Sequence, residues 1–358
     1  MELTALSPGQ LLNHIPYSAG PLEPREGWLQ VRVPARTHLS VLDMNHFAPG
    51  RPGGGGIGYA VGLYAEVELE LIEEPEYLVF AKRAGVVSHV AGILAKSLDY
   101  QGGVRIKAKD HNINHMGLGS TSALLTAVAW GINTLLGSPL GSRDLRRLIG
   151  YNFAEDAPNG MVVPGFETGV GPAAGIHGGF VVLADRLELI HHAPLPDATV
   201  YLAFLKGDMA EKTEGGEAIS SSQNAGQLEA ELLLNQARDI DTRDAREKAH
   251  EVLFGLLPSL KADSLKGIGD SVWRLQQLGS KLAEIGYHSN PDRICQTMED
   301  CRGLGALVTG MSSVGPAITI LCEREESVEG MLEDYLKAED IKYMKTGVDN
   351  QGVVTKWL

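Results

Sequence analysis

Cysteine is scarce in this chain and odd in number: Cys295, Cys301 and Cys322 are three, with no Cys-x-x-Cys spacing. That argues against both a disulfide framework and a structural zinc site. Long apolar runs are missing as well. Hydrophobic residues make up 44% of the 358 positions, yet no uncharged run reaches the roughly 20 residues that a membrane helix requires. The opening Met1-Glu2-Leu3-Thr4 places no basic segment before an apolar one, so the expectation is a cytoplasmic protein without a membrane partner. Positive charge is also in deficit, with 31 Lys and Arg against 45 Asp and Glu and a net charge of −14. A surface of that sign repels a polyanion and disfavours nucleic acid as a partner, but a small anion can still bind where backbone amides and a few basic groups converge. Neither an internal repeat nor a low-complexity tract is present.

What the chain has instead is glycine, gathered at 50–58, 117–119, 160–179 and 310–315. The most informative of these stretches is 114–123, Asn-His-Met-Gly-Leu-Gly-Ser-Thr-Ser-Ala, which runs straight into a helix. Leu124, Leu125, Val128, Ile132, Leu135 and Leu136 recur there at helical spacing, and Gly137 with Pro139 supplies a stop. Gly117 and Gly119, with Leu118 between them, let the backbone approach an anion closely. Ser120, Thr121 and Ser122 stand where unpaired N–H groups and the positive dipole end of the helix meet, an arrangement suited to phosphate. Gly53, Gly55 and Gly58 formally satisfy a dinucleotide-binding pattern, which is discounted because no helix follows them.

Along the chain, residues 1–27 read as an irregular leader rich in proline. Alternation predicts strands at 29–33, 37–42, 59–72 and 103–108, and helical spacing predicts helices at 85–99 and 143–155. A hairpin is expected at 180–183 and 187–190 and a buried strand at 200–205. The boundary between a 28–195 domain and a 196–358 domain falls at Pro194-Leu195-Pro196. Polar residues 207–226 read as a lid, followed by helices at 227–256 and 263–286. The second of these carries an apolar stripe of Leu265, Ile268, Val272, Leu275, Leu278, Leu282 and Ile285. Strands at 307–309 and 317–322 flank the loop 310–316.

Three small-residue loops joined to strands and a helix start resemble the GHMP superfamily of small-molecule kinases and their relatives. Residues 117–123 match its second motif and 310–316 match its third more loosely. The resemblance implies an α+β fold in two domains, a ribosomal-S5-like N-terminal one and a ferredoxin-like C-terminal one with a helical insertion, and the ligand between them. Three further stretches are similar to the β-ribofuranosylaminobenzene 5′-phosphate synthases and to the C-nucleoside synthases related to them. They are Pro34-Ala-Arg-Thr-His-Leu-Ser-Val-Leu-Asp-Met-Asn45, Gly55-Gly-Ile-Gly58 and Gly169-Val-Gly-Pro-Ala-Ala-Gly-Ile-His-Gly-Gly-Phe180. Such enzymes join 5-phosphoribosyl-1-diphosphate (PRPP) to an aromatic carboxylic acid, making a carbon–carbon glycosidic bond and releasing pyrophosphate and carbon dioxide. One departure separates the chain from the mevalonate-type kinases: where they carry Ser-Gly-x-Asp, this sequence has Thr168-Gly169-Val170-Gly171. An ATP-dependent kinase is therefore the runner-up.

The resemblance implies PRPP, a pyrazole dicarboxylate or 4-aminobenzoate, Mg²⁺ as cofactor and a homodimer. Within it, 117–122 would take the diphosphate. Asp43 is the first candidate for the metal or for steadying positive charge at the sugar, with the capping of a turn as its structural alternative. Arg36 and His38 alternate on one strand and would hold a phosphate or the acceptor carboxylate, although any polar strand face gives the same pattern. Arg51, His111, His115, His177, Thr168 and Lys206 are further candidates for substrate contact, and Glu167 for metal or ribose.

Overall fold

The computed structural model describes residues 4–46, 48–113, 116–205 and 237–358. The expected lid, Lys206, His115 and the first turns of the helix expected from 227 lie outside the described residues.

Strand β1 (Leu29–Val41) is one continuous element where the sequence suggested two short ones. It pairs antiparallel with β2 (Gly56–Ile72); a register shift at Pro34/Ala35 accommodates the proline, which has no N–H to give the ladder, and a second falls at His38/Ser40. Around this pair a seven-stranded sheet forms. β3 (Tyr77–Phe80) and β4 (Gly103–Lys109) extend one side, and β7 (Phe180–Leu183) with β8 (Leu189–Ala193) continues from the glycine end of β2. β13 (Val354–Trp357) returns from the C-terminus to pair with β1. The last residues of the expected 196–358 domain therefore complete the first sheet.

Four helices cover this sheet: α1 (Ala84–Leu98), α2 (Ser120–Leu135), α3 (Ser142–Tyr151) and α4 (Val170–His177). Val86, Val90, Ile93 and Leu94 of α1 meet Leu125, Val128 and Ile132 of α2 and the inner face of β1, β2 and β4 in one dry core. Helix α4 went unread because Val-Gly-Pro-Ala-Ala-Gly-Ile-His has the composition of a loop. Its small residues serve close packing against β1 and β2. Two short strands, β5 (Ala154–Asp156) and β6 (Val162–Pro164), form a separate hairpin. The expected helix 143–155 therefore ends early, with Glu155 on a strand.

The second sheet runs β10 (Val308–Met311), β11 (Ile318–Glu323), β9 (Ala198–Phe204), β12 (Lys342–Gly347), antiparallel throughout. Helices α5 (Arg238–Glu251), α6 (Leu257–Lys261), α7 (Leu265–Gln276), α8 (Ser280–Gly286), α9 (Pro291–Gly303) and α10 (Glu326–Ala338) pack with it. The single helix expected over 263–286 breaks between α7 and α8, where Gly279 takes a φ of +59°. Leu282 lies beyond the break and is 42% exposed, so the core stripe ends earlier than the sequence suggested. A shared core of Ala35, Leu39 and Tyr59 with Val200, Leu202 and Ile268 joins the two halves. Buried Lys248 and Asp241 of α5 pair with each other and bind the Val41 carbonyl and the Met44 amide, which fixes the end of β1.

Candidate active site

The residues of interest gather where β1, the turn into α2 and the 310–316 loop meet. The backbone N–H of Arg36 donates to the Leu118 carbonyl (3.2 Å) and its Nη1 donates to the Gly117 carbonyl (2.7 Å). Gly119 has a φ of +69°, and a Cβ there would lie 3.0 Å from the Arg36 guanidinium carbon. Gly117, at +82°, would put a Cβ 2.1 Å from the Ser312 carbonyl oxygen. Both glycines therefore answer a positive φ and a close approach together. Ser312 Oγ accepts from the His38 amide (2.9 Å) and donates to the Gly117 carbonyl (2.7 Å), while the Ser313 amide donates to the His38 carbonyl (2.6 Å). The third loop thus latches onto both the strand and the second motif.

From the opposite side comes the turn before α4. His38 Nε2 meets Thr168 Oγ1 at 3.1 Å. Burial, with Arg36 and Lys281 nearby, holds the His38 imidazole well below its usual titration range, so it is neutral at pH 7. Glu167 is 6% exposed. Its Oε1 accepts from the Gly169 amide (2.7 Å) and its Oε2 from Ser122 Oγ (3.1 Å). Burial pushes its carboxyl upward, against the opposing pull of Arg36. A Cβ at Gly171, the position that the motif resemblance aligns with the aspartate of mevalonate-type kinases, would lie 1.9 Å from Ser122 Oγ and 3.5 Å from Glu167 Oε2. Position 171 has no room for a side chain, and the carboxylate beside it belongs to Glu167.

At the mouth of α2 stands a second group that sequence reasoning missed. Arg83 caps α1 and donates to Thr121 Oγ1 (2.7 Å), Glu155 Oε2 (3.1 Å) and Asp156 Oδ2 (2.5 Å). Thr121 Oγ1 donates in turn to Glu155 Oε2 at 2.7 Å. The available signal was the adjacent pair Glu155-Asp156, which straddled the end of the helix expected over 143–155. Lys281 of α8 was also missed, being read as part of a continuous helix. It is fully buried and donates to the Glu284 carboxylate and the Ser313 carbonyl, both at 2.5 Å.

Among the residues expected at the site, Arg36, His38, Glu167, Thr168 and 117–122 come together. Asp43 does not join them. Its Oδ1 accepts from the amide and side chain of Asn45, Oδ2 faces His46 at 3.7 Å, and the side chain is 39% exposed. It is the turn cap that its position at a strand end also allowed. Arg51 is exposed and donates to the Asn45 carbonyl, in the same outer turn. His177 ends α4, about 12 Å along the axis from Gly169 at 1.5 Å per residue. Its ring sits 5.5 Å from that of His192, and burial together with Arg146 lowers its pKa to about 4. His111 Nδ1 accepts from the Ile113 amide, and burial lowers its pKa as well.

A mixed seven-stranded sheet under four helices, a second antiparallel sheet and a glycine turn at the head of α2 make up a GHMP-type α+β fold. Residues 85–169 match the family described as GHMP kinases N terminal domain. The fold is shared with mevalonate diphosphate decarboxylase from Staphylococcus aureus at a TM-score of 0.64 and 14% identity, over 93% of this chain and 98% of that one. In sequence the chain resembles the synthases that its motifs indicated. It is 26% identical over 351 residues to the β-ribofuranosylphenol 5′-phosphate synthase of Archaeoglobus fulgidus, covering 91% of this chain and 98% of that one. It is 24% identical over 338 residues to the protein of the same name from Methanothermobacter thermautotrophicus, covering 90% and 97%.

Proposed function

We propose that this protein is a C-glycoside synthase that couples PRPP to an aromatic or heteroaromatic carboxylic acid with loss of pyrophosphate and carbon dioxide. The observation that carries the reading is Gly171. A mevalonate-type kinase carries a carboxylate there to take the proton of an acceptor hydroxyl, and here the space is filled by Ser122. Attack by an electron-rich ring carbon on the sugar needs no such base, because carbon dioxide rather than a proton leaves the ring.

The head of α2 would bind the diphosphate through its amides and hydroxyls. Among the described residues no three His, Cys, Asp or Glu side chains converge as a metal cage. A Mg²⁺ ion, which keeps waters and takes substrate oxygens, fits such a site. Glu155, with the Thr121 hydroxyl on its carboxylate and Asp156 beside it, supplies hard oxygen donors in the right place. When bound, the ion would offset the charge that develops on departing pyrophosphate. Glu167 would face the positive charge that grows at the anomeric carbon. Arg36 would orient the acceptor carboxylate until it is lost, and neutral His38 would fix Thr168 without adding charge.

The relatives' name denotes a ribosylated phenol, which supports an acceptor ring made electron-rich by a hydroxyl or amino group. A pyrazole dicarboxylate satisfies the same requirement. Calorimetry with PRPP and with ATP, each with Mg²⁺, tests the class: PRPP should bind at least tenfold more tightly. Tighter binding of ATP would sink the proposal.

A further inference from the structure

Three carboxylates face one guanidinium at the mouth of α2. Besides Glu155 and Asp156, Asp110 lies at the end of β4 with its side chain only 7% exposed. Its Oδ2 accepts no hydrogen bond among the described residues and stands 3.8 Å from Arg83 Nη1. Arg83, 12% exposed, also reaches Ser120 Oγ at 3.4 Å. Three negative groups against one positive leave a formal charge of −2 beside the amides and hydroxyls that suit an anion. A diphosphate entering that field would be repelled unless a cation came with it.

We propose that Arg83 is a displaceable counter-ion. In the free protein it offsets part of the charge of Asp110, Glu155 and Asp156; when a divalent cation arrives with a diphosphate, Asp110 and Glu155 turn to the cation and Arg83 turns to the diphosphate oxygens. The guanidinium fork fits a carboxylate and a phosphate equally well, so the exchange costs it no donor geometry. Its position on the Ser120 and Thr121 hydroxyls of the α2 head keeps it within reach of either partner. The unpartnered Asp110 oxygen is the acceptor that the arginine alone leaves unsatisfied and a cation would satisfy. The proposal rests on the functional reading only for the identity of the anion.

The test uses the intact protein with Mn²⁺ and inorganic pyrophosphate as probes. By titration calorimetry, Arg83→Gln should bind Mn²⁺ alone about tenfold more tightly than the parent, because its competitor is gone. It should bind Mn²⁺-pyrophosphate about tenfold more weakly. A residue that only braces the fold would lose both affinities, so weaker or unchanged Mn²⁺ binding by folded Arg83→Gln overturns the proposal. Asp110→Asn, which leaves Arg83 in place, should weaken Mn²⁺ binding several-fold; no change there contradicts it too, even if Arg83→Gln fails to fold. Should the parent bind Mn²⁺-pyrophosphate yet turn over no PRPP, the functional reading fails while the counter-ion exchange stands.

Discussion

Adding a side chain at position 171 is the sharpest perturbation this site offers. In Gly171→Ala the new Cβ would lie 1.9 Å from Ser122 Oγ and 2.6 Å from Ser122 Cβ. Rotating the hydroxyl relieves the first contact. The second is set by the backbone of α2, so α2 or α4 must shift. Overpacking of this kind costs about 1–3 kcal/mol, and the upper half of that range applies because both partners are helical. Gly171→Asp adds a carboxylate next to Glu167, whose Oε2 is already 3.5 Å from the Cβ position. Two like charges about 4 Å apart repel by about 4 kcal/mol at an effective dielectric of about 20, so one of them would be forced to take up a proton. Urea denaturation should therefore rank the parent above Gly171→Ala and that above Gly171→Asp. Ser122→Gly in the alanine background removes both contacts and should recover at least half of the alanine variant's loss. Losses below about 0.5 kcal/mol for both single variants, or ATP-dependent phosphorylation by Gly171→Asp, would refute the reasoning that the kinase base is sterically excluded here.

Two further predictions concern pH. Glu167 has a carboxyl raised above its ordinary 4.5, so the native state holds a proton that the unfolded chain has released; its favourable contribution is complete below pH 4.5 and is lost as pH climbs through the folded value. The stability of Glu167→Gln relative to the parent should accordingly rise with pH above 4.5, and a flat or falling difference in chemical denaturation would count against the buried placement. His38 is depressed below 6.5, and the sign reverses: the unfolded chain binds the proton first, so stability drains as pH falls below 6.5, by up to about 1.4 kcal/mol per unit for one proton. His38→Asn should flatten that slope, and an unchanged slope would show that the imidazole titrates normally.

The sheet around β1 and β2 was legible because alternation and glycine both survive tertiary context, and α1 and α2 because their apolar faces repeat cleanly. Helix α4 was not, since its residues are small for packing reasons that override helix propensity. The break at Gly279 was hidden by an apolar period that continues across it. At the site, motif matching found the residues that touch backbone, namely Arg36, His38 and 117–122. It could not find Arg83, Glu155 or Lys281, which come from three other elements and meet only in the folded chain. Asp43 drew attention as an acid at a strand end, and the same position explains its place in the turn that Asn45 and His46 complete.

The central claim is tested most directly by the products. Incubation with PRPP, Mg²⁺ and an aromatic acid carrying a labelled carboxylate, with hydroxybenzoate, aminobenzoate and pyrazole dicarboxylate in parallel, should release pyrophosphate and labelled carbon dioxide in equal amounts for at least one acceptor. Pyrophosphate without carbon dioxide, or ATP consumption yielding a phosphorylated small molecule, would contradict it.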